Sequence, residues 1–216
     1  MIIVGFDPGG INQFGWCLTE TSKEGRLKVL DCGLESHAAG AVDTTLKHIP
    51  ARSEIMAVGI DSPLYWNPSG SRNADNLIRR AMRQRGASNV SGTVQEVNSL
   101  RGACLSQGIM TAHLMRQHKP NVRITESHPK ALLWLLGYAS LARKVRNISI
   151  ADLGDRVIGM SRETSDHERD AVLGAITANA MVTGQEDWRD LRNDERDAFE
   201  PVSEVEYWMP ISHEEA

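Results

Sequence analysis

Cysteine is scarce: Cys17, Cys32 and Cys104 are odd in number, widely spaced and form no Cys-x-x-Cys pair. That excludes a disulfide framework and a zinc ribbon, and it fits a reducing compartment. His113 and His118 stand five apart, off the helical i,i+4 pairing, and no compact His/Cys set points to zinc. Aromatic residues make up only 5%, so Trp66, Trp134, Trp188 and Trp208 are read as packing residues rather than a platform for stacking bases. No stretch approaches the roughly 20 apolar residues that cross a bilayer, and the first residues carry no basic leader. The expectation is a soluble, cytoplasmic protein without a membrane partner. Internal repeats, low-complexity segments and a Gly-x-x-x-x-Gly-Lys-Ser/Thr element are also missing.

What is present is one sizeable core's worth of apolar residues, 41% of 216, enough for one domain with an insertion or tail. The net charge of -4 is unevenly placed. Residues 184–216 hold eleven acids against three bases, so the body is basic and the C-terminal segment reads as a solvated acidic tail. A tail of this kind could also lie across a basic helix, with Asp187 to Glu200 limiting access to it.

In chain order, a buried-looking strand (Ile2 to Phe6) delivers Asp7, and Pro8, Gly9 and Gly10 turn the chain into a second apolar run from Phe14 to Leu18. Leu27 to Gly33 reads as a third strand, with Cys17 and Cys32 as candidate neighbours. After a short helix (Asp43 to Ile49), Ile55 to Ile60 has the continuous apolar character of a buried parallel strand. It ends in Asp61, and Ser62-Pro63 stops it. A loop around Trp66 to Ser71 then leads into a helix, Ala74 to Gln84, whose polar side is basic: Arg72, Arg79, Arg80, Arg83 and Arg85 against Asp75. Guanidinium groups bind phosphate oxygens bidentately, so this face is a candidate phosphate contact, carried above all by Arg72, Arg79 and Arg80. Gly86 to Thr93 reads as a mobile loop.

Leu100 to His118 is helical. Val122 to Thr125 is a short strand ended by Glu126, and Ser127, His128 and Pro129 interrupt it before an apolar helix, Lys130 to Leu136. Another helix is expected over Ile148 to Met160. Ser165-x-x-Glu168 is a capping-box pattern that opens a helix whose Ala171 to Val182 portion is small and apolar enough to be buried. His167 and Asp170 share a face of its first turn.

Three strands therefore end in acids, and a helix brings Asp170 with His167 beside it. In an open, largely parallel sheet the carboxyl ends of adjacent strands face one crevice. Carboxylates gathered there repel unless a hard divalent cation neutralises them, and Mg²⁺ or Mn²⁺ suits oxygen ligands. Two such ions can activate water and stabilise the leaving oxygen of a phosphodiester.

The order strand, hairpin, strand, helix, strand, with Asp7-Pro8-Gly9 in the first turn and His167-x-x-Asp170-Ala171 opening the last helix, resembles the RNase-H-like fold and, at those two motifs, Holliday-junction resolvases. Gly59-Ile60-Asp61-Ser62-Pro63-Leu64, Arg72-x-x-Asp75, Glu126-x-x-Pro129 and His167-Glu168-Arg169-Asp170-Ala171 are similar to an uncharacterised family of RNase-H-like nucleases. The similarity runs from about Ile2 to Thr183. It implies an α/β domain (1–183) with a five-stranded mixed sheet of order 3-2-1-4-5, the second strand antiparallel, flanked by helices, with a helical and loop insertion at about 64–95 and an acidic tail at 184–216. It also implies a metal-dependent nuclease acting on DNA or RNA, with Asp7, Asp61, Glu126 and Asp170 holding one or two Mg²⁺ or Mn²⁺ ions and His167 assisting. Asp61 departs from the resolvase pattern, where Glu is usual, and the arginine-bearing insertion has no clear counterpart there. The alternative is a catalytically silent module of the same fold that binds nucleic acid or a protein. A nucleotide phosphotransferase of the sugar-kinase and actin type would need a second copy of the domain, for which there is no room. Oligomeric state is left open, a homodimer included.

Overall fold

In the computed structural model, which describes residues 1–23, 25–65, 67, 72–95, 102–143, 150–158, 165–196, 198 and 200–211, the expected sheet is present. Strands β1 (Ile2–Asp7), β2 (Phe14–Thr21), β3 (Leu27–Glu35), β4 (Ile55–Ile60) and β5 (Arg123–Glu126) stand in the order 3-2-1-4-5. β2 is antiparallel to β1 and β3, while β4 and β5 run parallel to β1. A sixth strand, β6 (Val157–Ile158), adds parallel to the start of β3, so the sheet has six strands rather than five.

The helices are α1 (Ala38–His48), α2 (Asn73–Gln84), α3 (Val90–Thr93), α4 (Gly102–His118), α5 (Pro129–Leu135), α6 (Ala139–Arg143) and α7 (Asp166–Thr183). Two expectations along the chain fail locally. The stretch from Gly86 to Thr93, expected as loop, contains α3, because Asn89 caps it by accepting from the Gly92 N–H and Val90 anchors it in the core. The helix expected from Ile148, a start outside the described residues, is a 3-10 turn (Ile150–Arg156) running into β6; Gly154 at φ 60°, ψ -132° breaks the helical path. The loop expectations at Trp66 and at 68–71 also fall outside the described residues.

α7 organises the sheet. Its start is fixed by the expected capping box: Ser165 Oγ accepts from the Glu168 N–H at 3.1 Å and Glu168 Oε2 accepts from the Ser165 N–H at 2.8 Å. Gly184 at φ 59° closes its far end in the left-handed conformation. Between those ends the helix backbone touches the strands with no side-chain layer between. A methyl group built on Gly5 would lie 1.7 Å from the Ala171 carbonyl oxygen; on Gly59, 2.0 Å from that of Gly174; on Gly15, 2.1 Å from that of His167. His167, Ala171 and Gly174 are spaced four and three apart, one helical face. Gly5 and Gly59 are register partners in adjacent strands. Three glycines thus form a trough in which α7 lies, and this depth places its first turn beside the carboxyl end of β1. Cys17 and Cys32 are indeed paired across β2 and β3, and Cys32 Sγ lies 3.7 Å from Glu168 Oε1 under the start of α7.

Among the described residues, the chain from 184 to 211 is not a solvated tail. Trp188, Leu191, Val202, Val205, Tyr207, Met209 and Ile211 are buried, β7 (Arg189–Asp190) pairs with β8 (Trp208–Met209), and a 3-10 turn (Leu191–Asp194) follows β7. Glu206 extends the sheet at the β5 edge: its N–H donates to the Ile124 carbonyl and its own carbonyl accepts from the Glu126 N–H, both at 2.9 Å. Several of its acids are paired locally. Glu195 accepts from the Ala74 N–H at the start of α2 and from Asn67, Glu200 from Arg192, Glu206 from Arg123, and Asp194 pairs with Arg189. The segment therefore caps the start of α2 rather than covering its arginines. Among the described residues no helix is long and apolar enough to cross a membrane.

If the trough sets the depth of α7, Gly5→Ala and Gly59→Ala each cost about 3 kcal/mol in urea unfolding, through overpacking that backbone atoms cannot relieve. Gly10→Ala, whose added methyl would meet nothing closer than Gln13 Oε1 at 3.9 Å, stays within about 0.5 kcal/mol of wild type.

Candidate metal centre

The ends of β1 and β4 and the first turn of α7 bring three carboxylates into one electrostatic neighbourhood. Asp7 closes β1, Asp61 follows β4 with its N–H donating to the Phe6 carbonyl at 2.9 Å, and Asp170 comes from α7. Their side chains are 10%, 26% and 19% exposed, sheltered yet open to a small ion. His167 Nδ1 stands 2.5 Å from Asp7 Oδ2, and Arg169 Nε donates to Asp170 Oδ1 at 2.5 Å.

Burial is the largest influence on all three proton affinities, and neighbouring charges modify it. Burial pushes Asp7 up to about 7, against the hydrogen bond from His167, and the charge of Asp170 adds to the rise. Asp61 is pushed well above the carboxylate range by burial and then by Asp7, Asp170 and Glu126. Asp170 also rises, through burial that outweighs Arg169. The hydrogen bond to Asp7 lifts His167 above its ordinary value despite partial burial. Carboxylates whose proton affinity is raised by burial and by neighbouring acids are a site short of positive charge. The oxygen donors fit a hard divalent ion, which would take the place of those protons.

Glu126 adds its charge to Asp61 but is itself paired with an arginine. Arg72, only 1% exposed, donates through Nη1 and Nη2 to Glu126 Oε2 and Oε1 at 2.8 and 2.7 Å, and through Nε and Nη2 to Asp75 Oδ2 and Oδ1 at 2.8 and 2.7 Å. The Leu64 N–H donates to Glu126 Oε2 at 3.0 Å, and His128 Nε2 lies 3.2 Å from Oε1. Despite complete burial, Arg72 and His128 hold the Glu126 carboxyl below its usual range. Asp75, Glu126 and His128 bring donor atoms within 4.8 Å of one another, a spacing that a cation could bridge. The Arg72 guanidinium already neutralises the two acids there and would have to be expelled. Tyr65 and Tyr207 hold it, with the guanidinium carbon 4.6 and 5.6 Å from their ring centroids.

This corrects the expectation for the arginines. Arg72 is locked between two carboxylates and cannot face a phosphate. Arg79 is buried as well, with Nε donating to the Val94 carbonyl at 2.9 Å and Nη1 to Asn76 at 2.8 Å. Of the three, Arg80 alone is exposed, with Arg83 one turn further along α2. The sequence reading passed over His128, whose Nδ1 lies 3.9 Å from Asp61 Oδ1. Its position two residues past a strand-terminal acid was the available signal.

A mixed sheet of order 3-2-1-4-5 with its second strand antiparallel is the arrangement expected of an α/β protein of the RNase-H-like class. The chain belongs to the DUF429 family, described as a protein of unknown function, whose model matches residues 5–188. That span includes Asp7, Asp61, Glu126 and Asp170 and stops before the segment that supplies Glu195 and Tyr207. Among solved structures, the chain is similar to the Thermus thermophilus RuvC structure, at 15% identity and a TM-score of 0.44, over 85% of this chain and 97% of that one. No curated protein matches it.

Two outcomes follow from these charges. Arg72→Met leaves Glu126 and Asp75 buried without their counter-ion and costs about 3–5 kcal/mol by denaturant unfolding, whereas Arg80→Ala changes stability by less than about 0.5 kcal/mol. The second concerns pH. The folded-state value for Asp7 lies above its unfolded value, so its contribution to stability is complete below about 4 and is lost as pH rises through about 7. In chelator, Asp7→Asn therefore gains on wild type by on the order of 1–3 kcal/mol between pH 5 and pH 8; parallel stability curves for the two proteins would refute this.

Proposed function

We propose that this protein is a divalent-metal-dependent nuclease that hydrolyses phosphodiester bonds of nucleic acid at the centre formed by Asp7, Asp61 and Asp170. The observation that carries the reading is the gathering of three carboxylates from three separate elements, in which Asp7 and Asp170 raise the proton affinity of Asp61, and Asp170 that of Asp7. One or two Mg²⁺ or Mn²⁺ ions held there would supply Lewis acidity toward a phosphate oxygen and toward the attacking water.

The chain's own groups do the rest. Asp7, central in the sheet and fixed by its strand, is the ligand best placed to be shared, and it must lose its proton before a cation is held, so uptake strengthens as pH rises through about 7. His167 donates to or accepts from Asp7 through Nδ1, which leaves Nε2 to take a proton from water or return one to a leaving oxygen. Arg169 keeps Asp170 oriented. Arg80 and Arg83, exposed along α2, are the arginines that remain for the phosphate backbone. The roles read from sequence for Asp7, Asp61, Asp170, His167 and Arg80 are retained here, and those of Glu126, Arg72 and Arg79 are withdrawn.

Calorimetry with Mn²⁺ tests the reading together with cleavage of labelled single- and double-stranded DNA and RNA. Saturable uptake is expected in wild type and is lost in Asp7→Asn, with cleavage falling about 10³-fold or more through loss of electrostatic stabilisation. Silence in wild type at millimolar Mn²⁺ would leave a binding module without catalysis.

A further inference from the structure

We infer that His128 is a metal ligand of this centre, binding through Nδ1 beside Asp61, with Glu126 acting behind it as the carboxylate that orients the ring. The inference rests on the metal-dependent reading above and assigns a nitrogen donor to a site otherwise made of oxygens.

The argument starts from the two faces of one imidazole. His128 is nine-tenths buried and is placed by the turn from β5 into α5, immediately before Pro129. Its Nε2 lies 3.2 Å from Glu126 Oε1, and its Nδ1 lies 3.9 Å from Asp61 Oδ1. Glu126 is ionised, because Arg72 and the Leu64 N–H fix its charge. Nε2 is buried without a well-aligned hydrogen bond, but a lone pair 3.2 Å from that charged oxygen would be repelled, so in the neutral ring the proton belongs on Nε2. Nδ1 is then the nitrogen whose lone pair can be offered, and it faces Asp61. A carboxylate holding the far N–H of a histidine, with the near nitrogen turned to a cation, is the arrangement by which proteins fix the tautomer and raise the basicity of a metal-binding imidazole.

The spacing is compatible with one shared ion. Two donors each about 2.1 Å from a common cation stand at most about 4.2 Å apart, and Nδ1 and Asp61 Oδ1 are within that limit. The ring cannot swing away readily, since it packs against Tyr207 with centroids 5.8 Å apart, and Tyr207 itself is fully buried. The fixed network of Arg72, Asp75 and Glu126 thus has a task at the centre: it anchors the ring that completes the coordination of Asp61.

An imidazole donor alters which ion the centre prefers. Mg²⁺ is held by oxygen and keeps its waters, whereas first-row transition ions accept imidazole readily. The centre should therefore favour Mn²⁺ or Co²⁺ over Mg²⁺, through His128.

Pulsed electron paramagnetic resonance of the Mn²⁺-loaded full chain reads this directly, because a directly bound imidazole nitrogen modulates the manganese echo and ¹⁵N-histidine labelling shifts that modulation. The wild type and His167→Gln should both show it, and His128→Gln should lose it. By calorimetry His128→Gln should weaken Mn²⁺ about tenfold or more and Mg²⁺ by less than about threefold. Should His128→Gln fail to fold, the labelled His167→Gln protein still decides, since the remaining nitrogen signal must come from another histidine at the centre; its absence overturns the assignment. Manganese uptake that is lost in Asp7→Asn but unaltered in His128→Gln would mark His128 as a packing residue and leave the proposed function standing. No uptake by the wild type would overturn both.

Discussion

The contact on which the rest depends is that of the α7 backbone with the sheet at Gly5, Gly15 and Gly59. Side chains at those positions would lift the helix by a layer of atoms, and the first turn that carries His167 and Asp170 would move away from Asp7. Burial of β1 and β4 on both faces, the capping box at Ser165 and the cross-strand pairing of Cys17 with Cys32 beneath it all serve the same placement. The trough is thus a packing device with an electrostatic product: acids from distant parts of the chain that feel one another's charge.

Buried charge is handled in two opposite ways only a few residues apart. Around Arg72 each carboxylate oxygen of Glu126 and Asp75 has a donor, and two tyrosine rings shield the cation. Around Asp7 the acids outweigh the cations, and the shortfall emerges as proton affinity. The first arrangement is complete within the protein and serves structure. The second calls for something from outside, and this contrast separates a candidate site from a cluster of acids. His128 spans the two, with one nitrogen toward each.

The first hairpin and the acids at strand ends were legible because apolar runs are closed there by Asp-Pro, Asp-Ser-Pro and Glu-x-x-Pro, whereas the sheet order came only with the resemblance to the RNase-H-like fold. The partner of Glu126 was not legible. Arg72 lies 54 residues earlier, at the start of a helix whose Arg80 and Arg83 do face solvent, and a pattern of charges along one helix cannot reveal which member turns inward toward a strand. The segment after 184 was misjudged for a related reason: its acids dominate the composition, while its buried residues, from Trp188 to Ile211, follow neither a helical nor a strand period. Nor did sequence reveal the glycine trough, because Gly5 and Gly59 matter through what approaches them, and that is a helix more than a hundred residues away.

The central claim is that Asp7, Asp61 and Asp170 share a cation, and anomalous diffraction from crystals soaked in Mn²⁺ tests it most directly. The account expects a manganese peak bounded by those three carboxylates, with Arg72 still bridging Glu126 and Asp75. A saturated crystal with no peak there, or with the ion seated between Glu126 and Asp75 and the guanidinium displaced, would contradict it.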